Sequence, residues 1–294
     1  MDAQLQQQYI DCITEAYPNL VIETVEPNSD GQNNDVLIIN NALIFRFPRH
    51  PHALQQLHLE TATLRGIQSY VTLSVPVPIY VNVDTGEDTG FFMGYRKIAG
   101  SPLWRNEFLQ IRNRRVLGDW AQQIAIFLKS LHEVPVIGTI DADLPIYDTH
   151  LEWEEMYAAI QDSLFPQMRP GAQDWVTGQF EQFLSDPGSF DYVPTLRHGD
   201  FGPSNILYDQ NTLTITGVID FASAGLGDRA IDFAGLRSGF GEDFLRRVAR
   251  HYPIDRPMMK RIIFYQSTFA LQEALYGFDN NDEEAFNNGM EDFV

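Results

Sequence analysis

The stretch LRHGDFGPSNILYD, Leu196–Asp209, places an aspartate, Asp200, five residues ahead of an asparagine, Asn205, where an apolar run begins. A second carboxylate, Asp220, closes the next apolar run, Ile215–Ile219. Asp209-Gln210-Asn211-Thr212 lies between the runs and supplies turn residues, so the two are predicted to pair as an antiparallel hairpin. Asn205 and Asp220 would then meet at its open end. An amide carbonyl beside a carboxylate is a hard-oxygen pair, which Mg²⁺ accepts when phosphate oxygens complete its octahedron. Asp200, upstream across a loop broken by Gly202 and Pro203, would lie near such an ion but not on it.

One acid for an acceptor hydroxyl, with Asn and Asp for metal, is the division of labour in kinase-type phosphoryl transfer, and Asp-x4-Asn fits its spacing. The same template can be tried on the first third of the chain. Apolar runs at Asp35–Ile39, Ala42–Phe47, Val77–Val83 and Phe91–Ile98 are broken by turn signals and read as strands, with one helix over about Pro51–Tyr70. On that helix Glu60 falls in register with Leu64, Ile67 and Val71, so its charge needs a partner. Arg46, flanked by Phe45 and Phe47, is the basic residue the preceding strand offers. Such a pair holds nucleotide phosphates in kinase small lobes. The polar turn Pro27–Asn34, with Ser29 and Gly31 in it, could cover phosphates with backbone N–H groups.

Beyond Gly100-Ser101-Pro102 the pattern turns helical. Leu117, Trp120, Ile124, Phe127, Leu128 and Leu131 form one 3.6-residue stripe, and Trp153, Met156, Tyr157, Ile160 and Leu164 form another. Further helices fit Trp175–Leu184, Glu242–Tyr252, Arg256–Tyr276 and Asp282–Phe293, and only Thr195–Phe221 interrupts with strands. The predicted architecture is α+β and two-lobed. A small antiparallel β lobe with one helix, residues 1–98, is joined through a linker near 93–102 to a larger, mainly helical lobe, 99–294, with a ligand cleft between them.

Composition narrows the partners. A net charge of −20 excludes the phosphate-neutralising surface that nucleic acid binding needs, and is compatible with a cationic small molecule. The single cysteine, Cys12, excludes a disulfide framework and a thiolate zinc site and fits a reducing cytoplasm. No apolar run is long enough for a membrane span, and the first residues lack a signal-peptide pattern.

The motifs His198-Gly-Asp200-Phe-Gly-Pro-Ser-Asn205, Ile219-Asp220-Phe221 and Gly227-Asp228-Arg-Ala-Ile-Asp232-Phe-Ala resemble those of the aminoglycoside phosphotransferases and related small-molecule kinases. The likeness runs nearly end to end and is greatest to the enzymes that phosphorylate the double-primed ring. Phe45-Arg46-Phe47-Pro48-Arg49, the helix carrying Glu60 and Phe127-Leu-Lys-Ser-Leu-His132 also fit. The resemblance implies a protein-kinase-like fold, ATP or GTP with Mg²⁺ in the cleft, and transfer to an alcohol. It implies Asp200 as catalytic base, Asn205 and Asp220 as metal ligands, and Met93, Gly94 and Tyr95 as the hinge meeting the nucleotide base. Asp228 and Asp232 would be structural acids holding the loop. The family's strand lysine is replaced here by Arg46, a planar fork rather than a point charge.

Other signals carry less. Gly225-Leu-Gly227-Asp-Arg-Ala230 spells a dinucleotide fingerprint, but no parallel strand follows it. No P-loop and no G-x-S-x-G elbow occurs. His198 is read as a loop buttress and His132 as a packing or helix-end residue. For the acceptor, Glu242, Asp243 and Glu273 are candidate carboxylates for a cationic substrate. The reading is a kinase of a small cationic alcohol, an aminoglycoside first. A choline-like, amino-sugar or amino-alcohol acceptor is the alternative, and an inactive kinase-fold binding protein a further one.

Overall fold

The structure is a computed structural model and describes residues 1–28, 33–82 and 90–294. Chain order begins with α1 (Ala3–Ala16), β1 (Val25–Asn28), β2 (Asn34–Ile39), β3 (Leu43–Pro48), α2 (Pro51–Ile67), β4 (Tyr80–Val81) and β5 (Met93–Arg96). The five strands form an antiparallel sheet in the order β1-β2-β3-β5-β4. β4 is shorter than its apolar run because Pro76 and Pro78 bring no N–H to the ladder. Pro51 starts α2, and His50 Nδ1 accepts from the Ala53 N–H as its cap.

The small lobe holds two helices rather than the single one expected. Asp2 caps α1 by accepting from the Leu5 N–H, and only Ile13 of that helix is fully buried. Its glutamines face mostly outward, and Tyr9, Ile10, Cys12, Ile13 and Ala16 face the small-lobe core. Further tertiary contacts fix it: the Tyr9 ring stacks on Phe47, and Tyr9 and Tyr17 hydroxyls donate to Asp35 and to the Val81 carbonyl. Ile13, Leu37, Ile39, Phe45, Phe47 and Phe92 form a separate core beneath it.

The large lobe continues with β6 (Ser101–Pro102), α3 (Arg105–Phe108), α4 (Arg114–His132), α5 (His150–Ser163), α6 (Pro170–Ser185), β7 (Thr195–Arg197), β8 (Ile206–Asp209), β9 (Thr214–Val218) and β10 (Gly225–Gly227). It ends with α7 (Ala230–Phe240), α8 (Glu242–Val248), α9 (Arg256–Asn280) and α10 (Glu283–Met290). β8 and β9 form the expected hairpin, extended by β6, while β7 pairs antiparallel with β10. A Thr149–Glu152 capping box starts α5. The main core joins α4, α5, α7 and α9 and takes in Leu57, Leu64 and Ile67 of α2 with Met93 and Tyr95 of β5. The lobes therefore share apolar packing, and α2 belongs to both. Among the described residues no helix is long and apolar enough to cross a membrane.

Candidate active site

The hairpin does what its sequence required. The Ile219 N–H donates to the Asn205 carbonyl at 2.9 Å, so the residue before β8 and the residue after β9 are neighbours. Asn205 is buried, and its Nδ2 donates to both the backbone O and Oδ2 of Asp200, each at 2.8 Å. One end of the asparagine amide thus fixes Asp200. The other end, Oδ1, accepts nothing among the described residues. Asp220 takes a left-handed backbone (φ 64°), rare for a non-glycine residue, and its Oδ1 is buried without a hydrogen-bond partner. Asn205 Oδ1 and the Asp220 carboxylate, whose Oδ1 faces Arg46 and whose side chain is 46% exposed, put hard oxygens at the mouth of one hairpin and suit a divalent ion whose remaining ligands come from phosphate.

The loop holding Asp200 is fixed from below. Asp232 on α7 accepts from the N–H groups of His198 (3.0 Å) and Gly199 (2.8 Å) and from His132 Nε2 (3.0 Å). Burial opposes charge on Asp232, but the His132 hydrogen bond and the neighbouring histidine and N–H groups win and hold its carboxyl below the usual range. His198 Nε2 faces the Ile219 carbonyl and Nδ1 accepts from the Asp200 N–H, so the partners assign a neutral ring protonated at Nε2. Gly199 has φ +85°, and a Cβ there would fall 2.4 Å from the Ser223 carbonyl oxygen. His132 therefore does more than pack. It lies on the inward stripe of α4 with Leu128 and Leu131, where a polar side chain must find a partner.

Asp228 works elsewhere. It accepts from Arg261 Nε (2.5 Å) and the Tyr265 hydroxyl (2.9 Å), anchoring α9 to the end of β10. The glycines of the dinucleotide-like motif serve packing: a Cβ on Gly225 would strike the Tyr147 ring, and one on Gly227 the Asp148 carboxylate. Asp148, unremarked in the sequence, meets Arg197 Nε at 2.7 Å and accepts from the Asp228 N–H. Burial pushes its carboxyl up to about 6 against the pull of Arg197.

In the small lobe Arg46 Nη1 donates to Glu60 Oε1 at 2.6 Å, and Nη2 lies 3.6 Å from Asp220 Oδ1. The same Glu60 oxygen accepts the Phe221 N–H at 3.1 Å, so one carboxylate ties β3, α2 and the hairpin exit together. Burial works against the Arg46 cation, but Glu60, Tyr95 and Asp220 outweigh it and its pKa rises. Burial pushes the Glu60 carboxyl up, against Arg46. Burial likewise pushes Tyr95 up to about 12.

A cavity of about 640 Å³ lies between the lobes, lined by Val36, Ile44, Arg46, Tyr95, Asp200 and Asp220 among others. A second, of about 790 Å³, is lined by Tyr147, Glu152, Glu155, Met156, Phe269 and Gln272 among others. The two share Gln56, Ala222 and Ser223 in their walls and so adjoin each other.

Three expectations need correction or restriction. Met93 and Gly94 are not a hinge. Met93 pairs with Arg46 and Val81 and Gly94 with Phe45 and Tyr80, so their backbone groups belong to the sheet. Tyr95 also sits in the ladder, opposite Ile44, and offers the cavity its side chain; the connection between lobes begins only after Arg96. Glu242, Asp243 and Glu273 line neither cavity. Glu242 and Asp243 pair with Arg246 on the exposed surface of α8 (2.5 and 3.2 Å), and Glu273 is exposed on α9 while its neighbour Gln272 faces the cavity. Ser29 and Gly31 lie outside the described residues, but the adjoining Asn33 and Asn34 line the first cavity.

A two-lobed fold with this arrangement at its cleft defines a protein-kinase-like phosphotransferase. Residues 24–261 match the phosphotransferase enzyme family (APH); the chain belongs to that family and is a small-molecule kinase. It is 28% identical over 269 residues to the viomycin phosphotransferase of Streptomyces vinaceus, covering 89% of this chain and 90% of that protein. Among solved structures it is similar to the GDP complex of aminoglycoside 2'-phosphotransferase-IIIa (TM-score 0.89, 25% identity, 99% of this chain and 97% of that one). The GDP and kanamycin complex of APH(2")-IIIa also scores 0.89, at 26% identity and 96% of each chain.

Proposed function

We propose that the protein moves the terminal phosphoryl group of ATP or GTP to a hydroxyl of a small cationic molecule, an aminoglycoside first. The observation that carries this reading is the meeting, at one hairpin mouth, of the free Asn205 Oδ1 and the half-exposed Asp220 carboxylate beside an Asp200 carboxylate held by Asn205. Asn205 Oδ1 and the Asp220 carboxylate would hold Mg²⁺, which when bound neutralises charge on the phosphates. Arg46, clamped by Glu60, faces the same cavity and would bind phosphate oxygens through the part of its fork that Glu60 leaves free. Asp200 Oδ1 accepts no protein hydrogen bond among the described residues, and would orient the acceptor hydroxyl and take its proton. Asp232 and His198 keep that carboxylate in place.

The acceptor would occupy the second cavity. Glu155 there has no cationic protein partner among the described residues and is free to meet an ammonium group, while Phe269 and Met156 give apolar surface. In place of Glu242, Asp243 and Glu273, Glu155 is the carboxylate the cavity supports. The similarity to viomycin phosphotransferase along most of both chains favours viomycin as a second acceptor. Residues 1–98 would form the nucleotide-binding lobe and 99–294 the catalytic and acceptor lobe, working in the cytoplasm. The test is magnesium-dependent release of nucleoside diphosphate from ATP or GTP with kanamycin, viomycin or choline. Asp200→Asn should lower kcat by about 10²–10⁴-fold while nucleotide affinity holds. A wild-type protein that neither binds nucleotide nor turns over would end the proposal.

A further inference from the structure

One polar side chain stands at the seam of the two cavities. Gln56, on the second turn of α2, lines both. Its Oε1 accepts from Asn33 Nδ2 at 3.1 Å, which ties the entry to β2 onto α2. Its Nε2 has no protein acceptor among the described residues. The next loop residue, Asn34, is 7% exposed, lines the nucleotide-side cavity and leaves its Oδ1 without a hydrogen bond. A buried amide group is normally paired, so the unclaimed Asn34 Oδ1 marks a place a ligand fills, and the half-buried Gln56 Nε2 beside it is a donor within the same cleft. His52 and Gln55, also on α2, line the acceptor-side cavity alongside Gln56.

We propose that Gln56 is a binding residue shared by both substrates. Its carbonyl holds Asn33 at the wall of the donor cavity, and its Nε2 donates to a hydroxyl oxygen of the acceptor. Acceptor recognition thereby reaches out of the large lobe onto α2. The matching group is a hydroxyl, because an amide N–H pairs with oxygen and is repelled by an ammonium. Glu155, on α5 in the same cavity, is the group for an ammonium. The cavity would therefore sort its ligand, with a hydroxylated side towards α2 and a cationic side towards α5. This rests on the phosphotransferase reading above.

Two variants separate the roles. Asn33→Ala removes only the loop bond, and Gln56→Leu removes the loop bond and the free donor together; Gln56→Met serves the same purpose if the leucine variant does not fold. Steady-state kinetics would use kanamycin and viomycin as acceptors, with nucleoside diphosphate affinity measured by calorimetry. Both variants should weaken diphosphate binding and raise the donor KM. Only the Gln56 variants should raise the acceptor KM, by roughly 3- to 10-fold for one hydrogen bond. An acceptor KM equal to wild type in the Gln56 variants would reduce Gln56 to a loop clasp and overturn the proposal. Failure of the wild type to bind diphosphate or turn over is a different outcome, and would remove the kinase reading itself.

Discussion

Asp232→Asn is the most demanding substitution for this site, because it changes neither shape nor volume. The aspartate is fully buried and accepts three hydrogen bonds: Gly199 N–H on Oδ1, and His198 N–H and His132 Nε2 on Oδ2. Asparagine offers one accepting oxygen and an NH₂ group. With NH₂ at the Oδ1 position, the Gly199 N–H is opposed and unpaired. With NH₂ at the Oδ2 position, His132 can switch tautomer and accept, but the His198 N–H is stranded. A stranded buried donor costs about 1–3 kcal/mol, and the surviving bonds lose their charge assistance, so a total near 3–4 kcal/mol follows. For a chain of this size that is a fall in Tm of roughly 5–7 °C. Urea unfolding followed by tryptophan fluorescence at pH 7 reads the difference directly. The pH dependence has a fixed sign. The folded carboxyl titrates below its unfolded value, so its contribution is complete above about pH 5 and is lost as pH falls below about 4. The gap between wild type and variant should close over that range. A variant within about 0.5 kcal/mol of wild type at pH 7 would refute the reasoning, as would a gap unchanged at pH 3. In turnover, kcat should fall more than the donor KM rises, because the loop under Asp200 loosens while the nucleotide contacts remain.

Arg46→Ala should leave Glu60 buried with no counter-charge and cost about 3–5 kcal/mol, whereas Arg46→Lys should recover most of it; equal thermal stability of the alanine variant and wild type would show that the ion pair is not needed. Asp148 titrates near 6 in the folded chain against 3.8 for the free side chain, so the native state binds its proton more tightly and stability should fall as pH rises between those values, by up to about 3 kcal/mol. Asp148→Asn should lack that slope. A stability gap between wild type and this variant that widens in favour of wild type from pH 4.5 to pH 7 would mean the Arg197 ion pair outweighs the burial cost.

What could be read from the sequence, and what could not, follows the span of the contacts. The hairpin brings Asn205 to Asp220 across 15 positions with its own turn between them, so strand pattern and turn chemistry were enough. Arg46 and Glu60 were paired because a charge on an apolar helix face has to be neutralised. The Phe221 N–H bond to Glu60 spans 161 positions, and no local pattern announces it. Helix α1 escaped although Tyr9, Ile10, Cys12, Ile13 and Ala16 give it an apolar face on the small-lobe core, because the glutamines preceding them mask that face in a linear reading. The acceptor wall is the sharpest case. One residue along a helix is a turn of roughly 100°, so reading Glu273 for Gln272 exchanges a cavity wall for bulk water. The inward side of α9 carries Ile262, Tyr265 and Leu271 in the core, and Asp228 binds Arg261 and Tyr265 of that helix from the end of β10, a contact of which Asp228 gives no sign in its own neighbourhood. The proposed phosphoryl-transfer centre is thus built on a local hairpin, with its two metal-binding candidates at the ends of that hairpin's own strands. The proposed acceptor cavity is lined from α2, α5 and α9, where α2 and α9 carry the long-range ion pairs Glu60–Arg46 and Arg261–Asp228 and α5 is held by Trp153 stacking on Tyr265, so substitutions in those contacts should change which alcohol is chosen while leaving the hairpin intact.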